Sequence, residues 1–248
     1  MSRVRPFLAR ALRKATFLFE PPGPSVIESK DEYLVWLGFA NAGMLNPGNP
    51  YSMEFAVSRL PSDAPILEIG SFCGLSTNLL TYLKRKHGRS NRLISCDKWD
   101  FEKPPGTDFL GNSKISHSEY RQFVRESYLR NIQMFSAEDL PYTLEMTSDE
   151  FFDAWKKQGA VQDVLGRTLT LGGPISFAYI DGNHTYEFAK RDFLNCDAFL
   201  EEDGFIFFDD STAATFGVRD LMPEIISSGR YTLSATNPNH LFQKNGKS

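Results

Sequence analysis

The chain has 248 residues, of which 41% are hydrophobic and 23% are charged, and this composition is typical of a folded globular protein. Its formal net charge of −4 argues against a general nucleic-acid-binding protein, because such proteins carry a basic surface. No apolar run approaches the roughly 20 residues that cross a bilayer, so we expect no transmembrane segment. The cysteines are scattered without a CxxC pair, which predicts neither a disulfide framework nor a zinc site and favours a reducing compartment, hence the cytoplasm.

Basic residues are concentrated at the amino terminus. Residues 1–14 contain five arginines and lysines and no acid, and apolar side chains recur among them at helical spacing, which predicts an amphipathic basic helix. A peripheral membrane contact, an organelle-targeting peptide and a docking or lid helix with a solvated basic face all fit this pattern. We favour the docking or lid helix, because basic amphipathic stretches are not specific.

Two further helices are predicted before the main pattern begins. Residues 20–28 are rich in proline and glycine and form a connector. Ser29 and Glu32 have the spacing of a capping box, and the apolar residues that follow predict a helix reaching Met44. A short helix is expected from Ser52 to Leu60. We therefore interpret residues 1–60 as an N-terminal helical extension or lid and residues 61–248 as the main domain.

From Pro65 onward, short apolar runs alternate with helical patterns, which is the signature of a parallel sheet covered on both faces. A tight turn at Asn237-Pro238-Asn239 closes a hairpin, so at least one strand is antiparallel. We predict an α/β fold, Rossmann-like and doubly wound, with a mostly parallel seven-stranded sheet, an antiparallel C-terminal hairpin strand and N-terminal accessory helices. The strands are predicted at 66–70, 92–97, 142–147, 175–181, 205–209, 231–236 and 240–244, and the helices near 75–87, 117–135, 149–157, 185–201 and 217–228.

A long connection, residues 100–116, follows the second predicted strand. Long loops in compact domains are usually functional or disordered. This one leaves the carboxyl end of its strand, where ligands of such sheets bind. We interpret it as part of a substrate rim, and a plain surface insertion is the alternative.

Gly70 and Gly74 bracket the turn between the first predicted strand and its helix. Glycine lets the backbone approach a ligand closely and adopt a positive φ, and the free N–H groups at a helix start favour an anionic group. The GxxxG spacing disfavours a dinucleotide site, which would have GxGxxG. On its own, the turn fits structural packing as well as ligand binding.

Two acidic residues favour the ligand. Glu68 lies at the end of an apolar strand, where an unpaired carboxylate would be costly, so it could hold a cationic amino group or brace the loop through its backbone N–H groups. Asp97 closes the next strand, and an acid there can accept both hydroxyls of a ribose. An acidic strand end that meets solvent is the alternative for Asp97.

The segment LEIGSFCGLS resembles the first motif of class I S-adenosylmethionine (SAM)-dependent methyltransferases and is especially similar to that of catechol O-methyltransferase. The resemblance continues through CDKWD and IDGNHTYE to GFIFFDDS and covers roughly residues 65–244. It implies SAM as the cofactor. The resemblance implies that Glu68, Gly70 and Ser71 line the methionine end, that Ser76 binds the methionine carboxylate, that Asp97 binds the ribose, and that Thr147 and Ser148 lie beside the adenine. Phe72, Gly74 and Asp181 are the other predicted cofactor-binding residues. For Ser148, a simple helix N-cap is the alternative.

Three acidic residues end the fourth and fifth predicted strands, namely Asp181, Asp209 and Asp210. Adjacent parallel strands place their carboxyl ends side by side, so these carboxylates should converge. Clustered anions raise one another's pKa unless a cation lies among them, and an oxygen-only cluster suits Mg²⁺. The alternative is that one aspartate caps a helix and another is solvated. The resemblance supports a metal site, because metal-dependent O-methyltransferases place acids here, and the Asp-Asp pair is similar to that of the bacterial natural-product and sugar O-methyltransferase branch.

His184 lies three residues after Asp181. In the catechol-type enzymes this position carries a lysine that deprotonates the hydroxyl, and histidine can do the same near neutral pH. In the bacterial sugar-modifying relatives the proposed base is an acid two residues after the aspartate, where this chain has Asn183, which cannot act as a base. We predict His184 and Asp181 as catalytic residues, and a structural histidine that orders the Asp181 loop is the alternative.

These features together predict a divalent-metal-dependent O-methyltransferase that uses SAM and acts on a hydroxyl of a small molecule, a sugar or another natural product. A cation on Asp181, Asp209 and Asp210 would lower the pKa of the hydroxyl, His184 would take the proton, and the oxygen would attack the methyl group. A cephalosporin-hydroxylase-like enzyme of the same fold and a non-catalytic SAM-binding module are the alternatives. We expect no nucleic-acid partner, and homo-oligomerisation stays open.

Overall fold

The computed structural model describes residues 26–101, 108–111 and 113–246. Outside them lie the predicted basic helix of residues 1–14 and part of the long connection, residues 102–107 and 112. The described residues form the strands β1 (Ile66–Ile69), β2 (Leu93–Cys96), β3 (Tyr142–Leu144), β4 (Ala160–Gln162), β5 (Thr168–Thr170), β6 (Ile175–Ile180), β7 (Leu200–Phe208), β8 (Tyr231–Thr236) and β9 (His240–Lys244).

Seven of these strands form one sheet in the order β3-β2-β1-β6-β7-β9-β8. The neighbours from β3 to β7 pair in parallel, and β9 pairs antiparallel with both β7 and β8. The predicted Rossmann-like fold with an antiparallel C-terminal hairpin strand is therefore confirmed. None of the described helices combines the length and apolarity needed to cross a bilayer. These helices are α1 (Glu32–Ala40), α2 (Asn49–Val57), α3 (Leu75–Lys86), α4 (His117–Phe135), α5 (Ser148–Lys156), α6 (Tyr186–Asp197) and α7 (Val218–Ser227).

Both faces of the sheet are covered by helices. Successive side chains of a strand point to opposite faces, so Phe177 and Phe205 pack beneath α1, α2 and α3, whereas Ala178 and Ile206 pack beneath α5, α6 and α7. The strands β1, β2 and β6 are buried at every position. Burial on two faces explains why the sequence shows continuous apolar runs here instead of alternation.

The accessory helices α1 and α2 share a core with the sheet. Leu37 of α1 and Met53 and Val57 of α2 are 0% exposed and belong to the apolar cluster beneath α3. Helix α1 begins two residues later than the capping pattern predicts, because the side chain of Asp31, rather than that of Ser29, accepts from the first backbone N–H groups. The lid function of this region stays a prediction.

Helix α1 ends at Ala40 rather than at the predicted Met44. The amide of Asn41 donates to the carbonyl oxygens of Ala42 and Cys73, at 2.8 and 3.1 Å, which turns the chain toward the start of α3. Gly43 then packs so closely that a Cβ atom there would lie 2.5 Å from Cβ of Leu75. These long-range contacts override the local helical pattern.

Two β elements differ from the prediction. The ribbon of β4 and β5 was not predicted, and it closes through the Asp163–Arg167 ion pair. Strand β7 starts at Leu200, whereas the sequence predicts helix up to residue 201 and strand from 205. Gly204 allows this early pairing, because a Cβ atom there would lie 3.0 Å from the carbonyl oxygen of Ser176.

Candidate active site

The strand order reverses between β1 and β6. From β1 the chain adds β2 and β3 on one side, and from β6 it adds β7 on the other. In open α/β sheets, ligands bind outside the carboxyl ends of the strands at such a switch point. The register aligns the ends of β1, β2 and β6, so Gly70, Asp97 and Asp181 lie at the same edge of the sheet.

The glycine turn is required by packing at both of its glycines. Gly70 has φ +84°, and a Cβ atom there would lie 2.0 Å from the carbonyl oxygen of Asp181. Gly74 has φ +87°, and a Cβ atom there would approach the Tyr128 ring to 3.1 Å. Side chains at either position would push apart the strand ends or the helices that frame the crevice. The turn thus has a packing role whether or not a ligand binds.

Helix α3 presents an uncapped amino terminus at this edge. Its N-cap is Gly74, and no side chain of the described residues caps the helix. The first N–H groups of a helix have no acceptor within it, and the helix dipole adds partial positive charge there. These backbone donors suit an anionic group, such as the carboxylate predicted for this position.

Glu68 lies beneath the turn and is 0% exposed. Its carboxyl group accepts from the hydroxyls of Ser76 and Thr77, each at 2.6 Å, and from Ser95 at 2.5 Å. Burial raises its pKa to about 7, although the three hydroxyls act in the opposite direction. The Glu68 carboxyl and the Ser76 hydroxyl thus bond to each other, and their predicted contacts with the cofactor stay predictions. Glu68 braces the first turn of α3.

Asp97 is tied to the glycine turn through one oxygen. Oδ2 accepts from the backbone N–H groups of Ser71 and Phe72, at 2.7 and 3.0 Å, and from the Ser71 hydroxyl at 3.2 Å. Among the described residues, Oδ1 accepts only from the Trp99 backbone N–H, at 2.6 Å. Burial raises the pKa of Asp97. Oδ1 retains capacity for a further donor, as a ribose hydroxyl would be.

Three non-glycine residues at this edge have left-handed backbone conformations. They are Phe72 with φ 46°, Trp99 with φ 51° and Asp210 with φ 51°. The indole N–H of Trp99 donates to the Phe72 carbonyl oxygen at 3.0 Å, which links the first two. Such conformations cost about 1–3 kcal/mol each and concentrate at functional sites. Their grouping at the switch point supports this edge as the active site.

The predicted adenine contacts, Thr147 and Ser148, lie at the start of α5. Thr147 is the N-cap and forms a reciprocal capping box with Glu150, so its hydroxyl is already bonded. Burial raises the pKa of Asp192 on α6 to about 6, and the neighbouring Ser148 side chain acts in the opposite direction. The cap is therefore one residue earlier than the sequence suggested. The adenine role of both residues stays a prediction.

Asp181, His184 and Asp210 form the open acidic cluster. Their ligand atoms all lie within 4.8 Å of one another, and the imidazole Nε2 is 3.7 Å from Asp181 and 3.1 Å from Asp210. Burial raises the pKa of Asp181 to about 7, and the two carboxylates raise the pKa of His184 to about 10. The side chains are 30–37% exposed, so a ligand can reach them. Phe216 orients the imidazole by stacking on it, with ring centroids 4.5 Å apart.

Asp209 lies outside this group of three, and its place in the predicted metal trio stays a prediction. It is 4% exposed. Its Oδ1 accepts from the side-chain amides of Asn49, at 2.8 Å, and of Asn239, and its Oδ2 accepts from the hydroxyl of Tyr179 at 2.8 Å. The second oxygen of Asp181 lies 3.1 Å from the same tyrosine hydroxyl. Asp209 thus holds the strand end from beneath, and Asp210 alone of the pair faces the crevice.

The sequence does not predict the partner residues that decide which of these acidic residues is buried and which is open. Asn49 and Asn239 lie in the N-terminal region and the C-terminal hairpin, far from Asp209 in sequence, and carry no motif of their own. Tyr179 looks like an ordinary strand residue within an apolar run. Phe216 lies in a loop without a pattern. A buried position for Asp209 could have been suspected only from the apolar run GFIFF that leads into it.

Residues 67–211 match a protein family described as a methyltransferase domain. A search of curated proteins gave no significant match.

Solved structures with the same fold include three O-methyltransferases. One from Bacillus cereus, in complex with SAH, is 14% identical with a TM-score of 0.53, over 95% of this chain and 97% of that chain. CalS11, a TDP-rhamnose 3'-O-methyltransferase of calicheamicin biosynthesis, is 14% identical with a TM-score of 0.54, over 95% of this chain and 93% of that chain. TomG from Streptomyces achromogenes, involved in tomaymycin synthesis and solved with SAM, is 13% identical with a TM-score of 0.53, over 89% and 92%.

Proposed function

This chain belongs to the methyltransferase-domain family, and we propose that it transfers the methyl group of SAM to a hydroxyl oxygen of a small molecule. The observation that carries this proposal is the convergence of three features at one sheet edge. They are the glycine turn with the uncapped α3, the partly open Asp97, and the cluster of Asp181, His184 and Asp210.

The cofactor would lie across the ends of β1 and β2. Its carboxylate would accept from the backbone N–H groups at the start of α3, which remain free because Gly74 provides no cap. A ribose hydroxyl would donate to Oδ1 of Asp97, while Oδ2 keeps the turn of Ser71 and Phe72 in place. The adenine would extend toward Thr147 and Ser148. This arrangement points the reactive methyl group toward the neighbouring strand end, that of β6.

The acceptor hydroxyl would lie at Asp181 and Asp210. Two carboxylates and an imidazole with ligand atoms within 4.8 Å of one another fit a divalent cation such as Mg²⁺. Bound there, the cation would lower the pKa of an acceptor hydroxyl beside it. Asp209 and Tyr179 would hold both aspartates in place from beneath. Positioning supplies most of the acceleration, because SAM is already a reactive donor.

His184 has two candidate roles that exclude each other, since the same atom, Nε2, faces both carboxylates. With its pKa raised to about 10, the ring is protonated at neutral pH. It cannot accept a proton while both carboxylates are charged and no other cation lies beside them. It could act as the predicted base only after another cation balances those charges. Alternatively, Nε2 is a third ligand, which its 3.1 Å distance from Asp210 favours.

Two of the solved structures with the same fold support a class of acceptor molecule. CalS11 methylates TDP-rhamnose, and TomG takes part in tomaymycin synthesis. We propose a sugar or another natural product as the acceptor. The cephalosporin-hydroxylase-like alternative would require oxygen and 2-oxoglutarate and would leave SAM unconsumed. A non-catalytic module would keep its biological activity in Asp181→Asn and Asp210→Asn variants.

Calorimetric titration of the protein with SAM and SAH, with Mg²⁺ or with EDTA, tests the proposal. We expect both SAM and SAH to bind, and SAH binding to persist in EDTA, because the backbone donors at the start of α3 and Oδ1 of Asp97 lie outside the acidic cluster. Titration of a Gly70→Ala variant is the matched control, because the added Cβ atom collides with the carbonyl oxygen of Asp181 and displaces the strand ends that would hold the cofactor. Failure of the wild-type protein to bind either nucleoside would refute the SAM-dependent activity.

A further inference from the structure

A shallow cavity of about 380 Å³ lies between the start of α7 and the start of β9. Its polar wall contains Thr212, Arg219 and His240, and its apolar wall contains Met222 and Ile226. None of these residues takes part in the cofactor turn or in the acidic cluster. The residues that line the cavity therefore have no role in the methyl transfer as proposed above.

Arg219 gives this cavity a positive charge, next to the exposed Asp220 in the same helix turn. Arg219 is itself exposed, and among the described residues it forms no ion pair. A second cavity, beside α3, also contains basic residues, but there Arg85 pairs with Glu138 at 2.6 Å and Lys86 pairs with Asp31 at 2.8 Å. Arg219 also lies at the second residue of α7, where the helix dipole adds partial positive charge. The α7 cavity is thus suited to an anion.

His240 adds a directed donor to the same wall. The Ser211 hydroxyl lies 3.0 Å from its Nδ1, closer than to the other acceptors of that hydroxyl, the Phe208 carbonyl oxygen at 3.4 Å and Asn239 Oδ1 at 3.5 Å. When Ser211 donates to Nδ1, the ring hydrogen of the neutral imidazole is on Nε2. Burial lowers the pKa of His240, which favours the neutral ring. Nε2 is then a fixed N–H donor.

The cavity adjoins the proposed acceptor position on the side away from the cofactor. Ser211 and Thr212 follow Asp210 directly, and β9 is the next strand beyond β7 in the sheet. Adjacent strands are about 4.8 Å apart, so the end of β6 at Asp181 and the start of β9 at His240 are separated by roughly 10 Å. The cofactor turn lies on the opposite side of β6, at β1 and β2.

We propose that this cavity binds an anionic group of the acceptor, a phosphate or a carboxylate carried roughly 10 Å from the hydroxyl that is methylated. Arg219 pairs with the anion, the Nε2–H of His240 and the hydroxyl of Thr212 donate to it, and Met222 and Ile226 contact the apolar part of the acceptor. The proposal rests on the proposed methyl transfer for its link to Asp181 and Asp210, and it narrows the acceptor to amphipathic anions.

Titration of the intact protein with inorganic pyrophosphate and, separately, with succinate at constant ionic strength tests this subsite. The chemical shifts of the histidine ring protons and calorimetry are suitable readouts. We expect at least one probe to bind, with a perturbed His240 resonance, and the probe that binds more tightly identifies a phosphate or a carboxylate acceptor. Arg219→Gln should weaken binding about tenfold or more, because a charge-assisted pair is lost, while Arg219→Lys should retain part of it.

Arg92→Gln is the matched control, because it removes the same charge from an exposed arginine at the opposite edge of the sheet. Equal loss in Arg92→Gln and Arg219→Gln, or no binding of either probe to the wild-type protein, would overturn the subsite. SAH is titrated into the same samples to separate the two proposals. SAH binding without anion binding refutes the subsite alone, whereas anion binding without SAH binding refutes the methyl-transfer proposal.

Discussion

The acidic residues in the two halves of the crevice differ in their hydrogen-bond partners. On the cofactor side, Glu68 and Asp97 accept from hydroxyls and backbone N–H groups of the protein, and Oδ1 of Asp97 keeps capacity for one further donor. On the acceptor side, Asp181 and Asp210 face one another across a single imidazole, and their pairing is incomplete. Neutral donors of the protein thus hold the acids of the first half in place before any ligand binds. The second half holds excess negative charge that a cation, bound or imidazolium, must balance.

The largest expected effect comes from removing the Glu68 carboxyl group on the cofactor side. Glu68→Ala leaves three buried hydroxyls without their acceptor, and unpaired buried groups are costly, so we expect a loss of about 3 kcal/mol in the free energy of unfolding. Urea denaturation at pH 6 measures it. A loss below about 0.5 kcal/mol would show that these hydroxyls find other partners and that Glu68 does not brace α3.

Glu68→Gln is the control for charge. The pKa of Glu68 is about 7 in the folded protein against an ordinary value of 4.5, so the folded state binds more protons between these pH values. The wild-type free energy of unfolding should therefore receive a contribution from Glu68 that falls as pH rises from 4.5 to 7, by at most about 1.4 kcal/mol per pH unit. The glutamine variant should lack this contribution, and identical pH slopes would argue against a buried, titrating Glu68.

One substitution in each half should show whether cofactor binding and cation binding are independent. Asp97→Asn weakens the acceptor of the Ser71 and Phe72 N–H groups, so we expect SAH affinity to fall about tenfold while Mn²⁺ affinity is unchanged. Asp210→Asn should do the reverse. Calorimetry with SAH and electron paramagnetic resonance with Mn²⁺ measure the two affinities. If either substitution weakened both ligands equally, the halves would not be independent.

A smaller effect is expected from His184. Its pKa is raised to about 10 from 6.5, so its stabilising contribution is fully present below about pH 6.5 and is lost as pH rises toward 10. In EDTA, His184→Gln should lower the free energy of unfolding by about 1 kcal/mol at pH 6.5, a modest value because the side chain is partly exposed. The difference should shrink by pH 10 and in an Asp210→Asn background. A pH-independent difference would indicate that only the stacking on Phe216 was lost.

The smallest effect tests the predicted adenine contact. Thr147→Ala removes the N-cap of α5 and should cost about 1 kcal/mol or less in the free energy of unfolding, while Thr147→Ser keeps the hydroxyl and the stability. Because the hydroxyl is already bonded within the capping box, we expect SAH affinity to stay within about twofold of the wild type. A larger loss confined to SAH binding would assign Thr147 to the adenine site.

Local chemistry made most of the fold predictable. Strands buried on two faces appear as apolar runs, and amphipathic helices alternate with them, so the parallel sheet and the closing hairpin could be predicted. The ribbon of β4 and β5 could not, because its strands have three residues each, too few for a periodic pattern. The early start of β7 was hidden by the charged residues 201–203, which look like a helix end.

The positions of the site residues at the strand ends could be predicted from the sequence, but the hydrogen-bond partners of each carboxylate could not. A motif places Gly70, Asp97 and Asp181 at strand ends, and parallel topology brings strand ends together. Which carboxylate faces the crevice depends on residues with no local signal. Asn49 and Asn239, from distant parts of the chain, both donate to Oδ1 of Asp209, and Tyr179 donates to its Oδ2. These contacts leave Asp210 as the open member of the pair.

A crystal structure of the protein grown with SAH and Mn²⁺ would locate the cofactor and the cation together. We expect SAH across the ends of β1 and β2, with its carboxylate at the start of α3 and a ribose hydroxyl at Asp97. We also expect an anomalous manganese peak between Asp181 and Asp210, with Asp209 still bonded to Asn49. SAH bound elsewhere, or manganese coordinated by Asp209 or absent from the crevice, would contradict this arrangement.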